Sequence, residues 1–469
     1  MVGLSVANAL LRTGHLVTSV FPAPEQARPV ASRAAGAMLG AFGELGQSDG
    51  DIDDPGFRFR LRAQQEYAGW LEDICERSGK SVRLEQGTFV IANNVGGSDR
   101  ACVRKMKEYA DALGETAEFV EPEDVPGLKA NRLYGPGLCL YLPGEHAINP
   151  DDLLAALAAS AATFDTWDHR CDLIDQANPD GEGWRLTTQS GEGLVADAVV
   201  LCAGSRSWDM LSHEIRHEAA LPDMYFGKGV SCIVRGGPVV PSTIRTPNRA
   251  FACGIHVVPR ADGLLYLGAT NNLGVDHEAE VGVQPGELHN LFDEVIHQIN
   301  TDVREARIES VQVGFRPIVA HGKPIIGRSA LPGLFVGTGT YRDGVLMAPM
   351  VGKVIAGEFG GSDEVTNPFP VDCGRTKRDF DSLISAGIRD QVAFLQEPRG
   401  ELPYDRADQL QKYLETLFSM AIEPDGKFAG LRKEIQHRLE DAPLTETMNK
   451  IFYDVIAHAE QRRGEQSLT

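Results

Sequence analysis

The chain has 469 residues, 24% of them charged and 42% hydrophobic, with a formal net charge of −21. That length allows two or three domains, and the composition is that of an ordinary globular protein able to bury a sizeable core. Sixty-six acidic against 45 basic residues repel phosphate backbones and anionic bilayers, so neither a nucleic acid nor a membrane is an expected partner.

The 8 cysteines are scattered with no C-x-x-C pair. Reduced thiols in a reducing compartment, the cytoplasm, are therefore expected rather than a disulfide framework. No apolar run is long enough to span a bilayer. The apolar stretch at Leu4 to Leu11 lacks the basic flank and small-residue cleavage site of a signal peptide.

Met1 to Phe21 read as a small-residue helix ending at Gly14, then a β-branched strand. In a dinucleotide-binding unit, G-x-G-x-x-G sits between a first strand and a helix of this kind. Only its last glycine has a counterpart here, Gly3. The first strand and first two glycines are missing, through either a start placed inside the glycine loop or a loss of the element. Phe21 stands where an acidic residue usually binds the ribose hydroxyls, and Glu25 lies too far along to replace it.

Gly36 to Gly46 form a small-residue loop, followed by an amphipathic helix through Phe57, Leu61, Ala68, Leu71, Ile74 and Cys75. A strand is expected at 87–92, a helix at 103–113, and an alanine-rich helix at 151–162 opened by Asn149-Pro150. Strands at 184–188 and 198–201 lead into Cys202-Ala203-Gly204-Ser205. Further strands are expected at 229–235, 255–259 and 264–269, then a helix through Leu288, Leu291, Phe292, Val295, Ile296 and Ile299. Residues 373–469 hold three amphipathic patterns and almost no strand signal, which reads as a helical appendage.

His213-Glu214-Ile215-Arg216-His217 is a literal H-E-x-x-H, which on a helix can hold zinc beside a glutamate base. Arg216 places a positive charge between the two ligands, and no third histidine follows at the spacing such sites use. With Glu218 and Pro222 nearby, the segment reads as an exposed linker, and no metal is expected. A zinc hydrolase through His213, Glu214 and His217 is kept only as an alternative.

Several segments, in order, resemble the glycine oxidase and D-amino-acid oxidase (DAO) family of FAD-dependent oxidoreductases. They are the N-terminal helix and strand, Ser32-Arg33-Ala34-Ala35-Gly36-Ala37-Met38-Leu39-Gly40, and Val199-Val200-Leu201-Cys202-Ala203-Gly204-Ser205. Val257 to Gly263 with Gly268-Ala269-Thr270 is similar to a hairpin of the family's substrate domain. The strongest match is Gly314-Phe315-Arg316-Pro317, Gly322 to Gly327, and Gly337 through Arg342 to Pro349. The resemblance covers residues 1–365.

It implies an α/β fold: a Rossmann-like FAD-binding domain (1–48, 145–212, 318–372) interleaved with an antiparallel-sheet substrate domain (49–144, 213–317). Residues 373–469 would follow as the C-terminal all-helical extension. It implies FAD contacts at Gly3, Ser32, Arg33, Ala35, Gly36, Met38, Ala203, Gly204, Gly339, Arg342, Asp343, Gly344, Val345 and Leu346. A helix over 345–359 would turn its N-terminus toward the flavin. Arg342 and Arg316 are forks suited to a substrate carboxylate; the resemblance makes Arg342 the main anchor and Arg316 a second pocket residue.

The implied reaction is hydride transfer from the α-carbon of a small amine or amino acid to flavin N5, hydrolysis of the imine, and reoxidation by oxygen to hydrogen peroxide. Four positions depart from the family pattern. His256 replaces a pocket tyrosine, His321 an acidic residue, Thr340 a histidine and Asp343 an asparagine. A degenerate homologue serving as a binding or scaffold protein is the alternative, and a homo-oligomer is compatible with either.

Overall fold

The computed structural model describes residues 1–371 except 24–28, 47–50, 95–98, 249–253, 275–276, 279–280, 320–321 and 362–364. The helical patterns expected in 373–469, as well as Glu25 and His321, lie outside the described residues.

Several of the helices begin where the sequence supplies caps. Helix α1 (Val2–Arg12) turns Leu4, Val6, Ala7, Leu10 and Leu11 inward. In α2 (Pro55–Ser78) the Asp54 carboxylate accepts from the Phe57 N–H, Pro55 occupies the first turn, and Gly79 closes the helix at φ 65°. Helix α3 (Asp99–Ala112) starts four residues before the expected segment. Helix α4 (Pro150–Ala161) is capped by Asn149, whose side chain accepts from the Asp151 N–H, as the Asn-Pro pair predicts.

Helix α5 (His213–Glu218) corrects the reading of that segment as a linker. The Ser212 hydroxyl accepts from the Ile215 N–H, and Ile215 is buried, which is enough to hold one short helix. A capping box of Gln284 and Glu287 opens α6 (Pro285–Gln298). Helix α7 (Ala348–Gly360) begins three residues later than expected. Pro349 fits only its first turn, so Gly344 to Met347 remain as turns ahead of it.

Two kinds of sheet result. A nine-stranded, mostly antiparallel sheet is built around the long strand Met224–Arg235. That strand pairs with Arg307–Val319 on one side and with Leu264–Gly268 and Asn272–Gly274 on the other. The sheet continues through His256–Pro259, Thr243–Arg245, Thr88–Asn93, Pro136–Leu142 and Glu118–Val120. Its face packs α6 over a core that includes Ile244, Val257, Leu267 and Val295.

The second layer is parallel and in two pieces. Val17–Val20 pairs with Trp167–Arg170, and Val199–Leu201 pairs with Leu334–Thr338, whose far side carries Ile325–Arg328 antiparallel. Helices α1, α2, α4 and α7 pack against one another through Leu4, Tyr67, Leu157 and Val351. Gly3 brings α1 so close to the Val199–Leu201 end that a β-carbon there would lie 3.2 Å from Cys202 Cβ. Val17–Val20 and Val199–Leu201 are both edge strands of their pieces, and residues of both line one cavity. No helix among the described residues is long and apolar enough to cross a membrane.

Candidate active site

That cavity has a volume of about 1640 Å³ and runs from the N-terminus of α1 to the edge of the large sheet. Among the residues singled out by resemblance, Gly3, Ser32, Arg33, Ala35, Gly36, Met38, Ala203, Gly204, His256, Arg316, Arg342, Asp343, Gly344 and Val345 all line it. Leu346 and Gly339 do not. Leu346 is buried in the core beneath α1 and α7, and Gly339, at φ 72°, packs against Val319. The H-E-x-x-H histidines, His213 and His217, are exposed on α5, and no cluster of three or more metal-binding side chains forms among the described residues.

The loop at 34–38 is fastened to the large sheet by three side chains. Tyr266 Oη donates to Ala34 O at 2.9 Å, Arg260 donates to Gly36 O at 3.0 Å, and Ser231 Oγ donates to Ala34 O at 3.2 Å. His256 lies beside this loop, stacked on Tyr266 with ring centroids 5.6 Å apart. Its Nδ1 donates to Gly254 O at 2.8 Å, so Nε2 is left as an acceptor turned toward Gly36. A β-carbon at Gly36 would lie 2.9 Å from that nitrogen, so only glycine permits the approach. Burial lowers the imidazole pKa to about 3 and keeps the ring neutral.

The two arginines sit in a connected polar chain. Arg316 Nη1 donates to Thr270 O at 3.0 Å and to Asn271 Oδ1 at 2.9 Å, and Asn271 Nδ2 donates to the Tyr341 hydroxyl. The guanidinium carbon of Arg342 lies 5.0 Å from the Tyr341 ring centroid, and its Nε lies 3.6 Å from Glu44 Oε2. Glu44 also lines the cavity and was not singled out from the sequence. It accepts from Arg245 Nη1 at 2.7 Å and from Asn248 Nδ2 at 3.0 Å. Burial alone would raise its pKa, but the Arg245 and Arg342 charges outweigh burial and hold the carboxyl well below the usual range.

Behind Glu44, Glu145 Oε1 accepts from the Phe42 and Gly43 N–H groups, both at 2.8 Å. Burial pushes this carboxyl up to about 7, against the pull of those N–H groups and of Arg245. Glu44 and Glu145 are thus two neighbouring carboxyls with opposite preferences, one charged in the site and one tending to neutrality behind it.

The residues present fit FAD. The volume exceeds the roughly 300–1000 Å³ of an ordinary small-ligand pocket, leaving room for a dinucleotide beside a small substrate. The first turn of α1 opens onto the cavity, where helix N–H groups and the dipole favour phosphate. Phe21 also lines the cavity, its ring stacked 3.9 Å from that of His169.

Known proteins share this fold and part of this sequence. A glycine oxidase of Geobacillus kaustophilus is 27% identical over 364 residues, which cover 76% of this chain and 89% of that protein. The crystal structure of glycine oxidase from Geobacillus kaustophilus superposes with a TM-score of 0.67 at 24% identity, covering 80% of this chain and 96% of that one. That of L-proline dehydrogenase from P. horikoshii gives 0.61 at 15% identity, covering 79% and 94%. The model of the family described as FAD dependent oxidoreductase (DAO) matches residues 1–358. The chain belongs to that family, and its cofactor is FAD.

Proposed function

We propose that the protein oxidises the carbon–nitrogen bond of a small amino acid or carboxylated amine and passes the electrons to oxygen. The observation that carries this reading is the convergence of Arg342, Arg316 and a neutral His256 on one cavity wall beside the 34–38 loop. The relatives it resembles, glycine oxidases above all, point the same way.

Bound FAD supplies a hydride acceptor that oxygen can regenerate with release of hydrogen peroxide. The chain's own residues select and orient. Arg342 pairs with the substrate carboxylate, its plane set by the Tyr341 ring and the Glu44 carboxylate. Arg316, steadied at Nη1 by Thr270 and Asn271, adds a second positive charge to that end of the pocket. His256 Nε2 accepts a hydrogen bond from the amine. So weak a base takes no proton from an ammonium, so the amine must reach the site neutral, and kcat/KM is expected to rise with pH toward the substrate's amine pKa.

The test is a panel of glycine, sarcosine, D- and L-amino acids, proline and decarboxylated analogues, scored for peroxide in air and for flavin bleaching without it. Turnover of carboxylated amines with little turnover of their decarboxylated counterparts is expected. Bleaching without peroxide in air would make the protein a dehydrogenase. Neither signal with any amine would sink the reading. The scaffold alternative draws on Phe21, and purified protein that retains no flavin after incubation with FAD would favour it.

A further inference from the structure

We infer that Glu44 sets which acids the pocket accepts, admitting substrates with one carboxylate and rejecting those that bring a second. The inference rests on the reading of Arg342 as the carboxylate anchor.

Glu44 is a built charge rather than a stray surface acid. Its side chain is 12% exposed, and each oxygen has its own donor: Arg245 on Oε1 and Asn248 on Oε2. Those two donors are locked to each other, with Arg245 Nη2 donating to Asn248 Oδ1 at 2.9 Å. Asn248 also donates to the Glu44 backbone carbonyl at 3.1 Å, so the side chain and the main chain are held together. The preceding residues are clamped by Glu145 through the Phe42 and Gly43 N–H groups.

Neither Arg245 nor Asn248 lines the cavity, whereas Glu44 does. The buried Arg245–Glu44 pair therefore turns its negative end toward the substrate and its positive end toward the protein. Near the cavity wall little water screens that end, so a like charge placed a few ångströms away is repelled far more than in bulk solvent. A single carboxylate on Arg342 is paired. With Arg316 also drawn to the first carboxylate, a second one close by is left to face Glu44, which cannot turn aside and does not take up a proton at neutral pH.

The experiment titrates acetate and malonate into the FAD-loaded full chain, followed by the perturbation of flavin absorbance and by calorimetry. The wild-type protein is expected to bind acetate at least tenfold more tightly than malonate, because a like-charge contact a few ångströms away already costs several-fold in bulk water and more where screening is weaker. Glu44→Gln, nearly isosteric, is expected to shrink that ratio by about tenfold, and Glu44→Asp to keep it.

Wild-type protein that binds malonate as well as acetate overturns the inference without any variant. So does a Glu44→Gln protein in which both ligands weaken equally, because that is the signature of a residue that only holds Arg342 in place. Arg342→Ala separates the two claims. If it still binds acetate, the anchor lies elsewhere and the functional reading fails. If it loses acetate while Glu44→Gln leaves the ratio unchanged, only the selectivity fails.

Discussion

Glu145 and His256 are both buried ionisable side chains, and their folded pKa values move so as to favour the neutral form. For Glu145 the folded value, about 7, lies above the ordinary 4.5. A raised carboxyl contributes stability that is fully present below pH 4.5 and is lost as pH climbs through 7. His256, lowered from 6.5 to about 3, works with the opposite sign: its contribution is present above 6.5 and is lost as pH falls. The two slopes partly cancel between those limits, so the wild-type curve alone is uninformative. The difference between Glu145→Gln and wild type isolates the carboxyl. The amide still accepts from the Phe42 and Gly43 N–H groups, so the variant is expected to gain on wild type from pH 5 to 8, by up to about 1.4 kcal/mol per pH unit. Denaturant midpoints across that range check it, and a flat difference would mean that Glu145 titrates normally. His256→Phe retains a ring against Tyr266 but removes Nε2. It is expected to lower kcat/KM for amines roughly tenfold, the worth of one buried hydrogen bond, without loss of bound flavin.

At the scale of elements, α1 and α7 decide whether the cofactor layer assembles. Besides their apolar side chains they meet at close backbone: Ser5 Oγ donates to Ala348 O at 2.7 Å, and a β-carbon on Gly352 would lie 3.0 Å from Ser5 O. A carbonyl in a helix cannot step back as a flexible side chain can. Gly352→Ala is therefore expected to push the helices apart at a cost of about 1–3 kcal/mol, despite its better helix propensity. The check is a lower unfolding midpoint together with weaker FAD retention; a rise in both would show that the contact has slack. Helices were legible in the sequence because apolar spacing, as in α1, and caps, as at Asn149-Pro150 of α4, announce themselves locally. The strands Pro136–Leu142 and Arg307–Val319 were not. The first opens with Pro-Gly, and the second begins with an exposed Arg-Ile-Glu-Ser, so neither shows clean alternation. Their order comes from partners distant in sequence, such as Met224–Arg235 for the latter. The site divides the same way. Arg316, Arg342 and His256 stand in segments whose glycine and proline punctuation matches a family, whereas Glu44 looks like any turn carboxylate until Arg245, 201 residues along the chain, arrives beside it.

Across the whole molecule, the large sheet and the two-piece parallel layer differ in how far each holds itself together. The nine-stranded sheet has its own cover in α6 and a dry core around Val257 and Leu267. The parallel layer has two short edge strands, Val17–Val20 and Val199–Leu201, whose neighbouring space is the cofactor cavity. A ligand bound there touches the elements on that cavity's rim, so its binding free energy is shared mainly with them. Removing FAD should therefore leave the large sheet intact and loosen the rim. Amide exchange in the apoprotein is expected to rise over 2–20 and 199–206 and to stay low over 224–235 and 256–268. Saturating FAD at about a hundred times its dissociation constant should restore protection by close to 2.7 kcal/mol. Loss of protection spread evenly over both sheets would mean that the molecule opens as one cooperative unit, with the cofactor stabilising all of it.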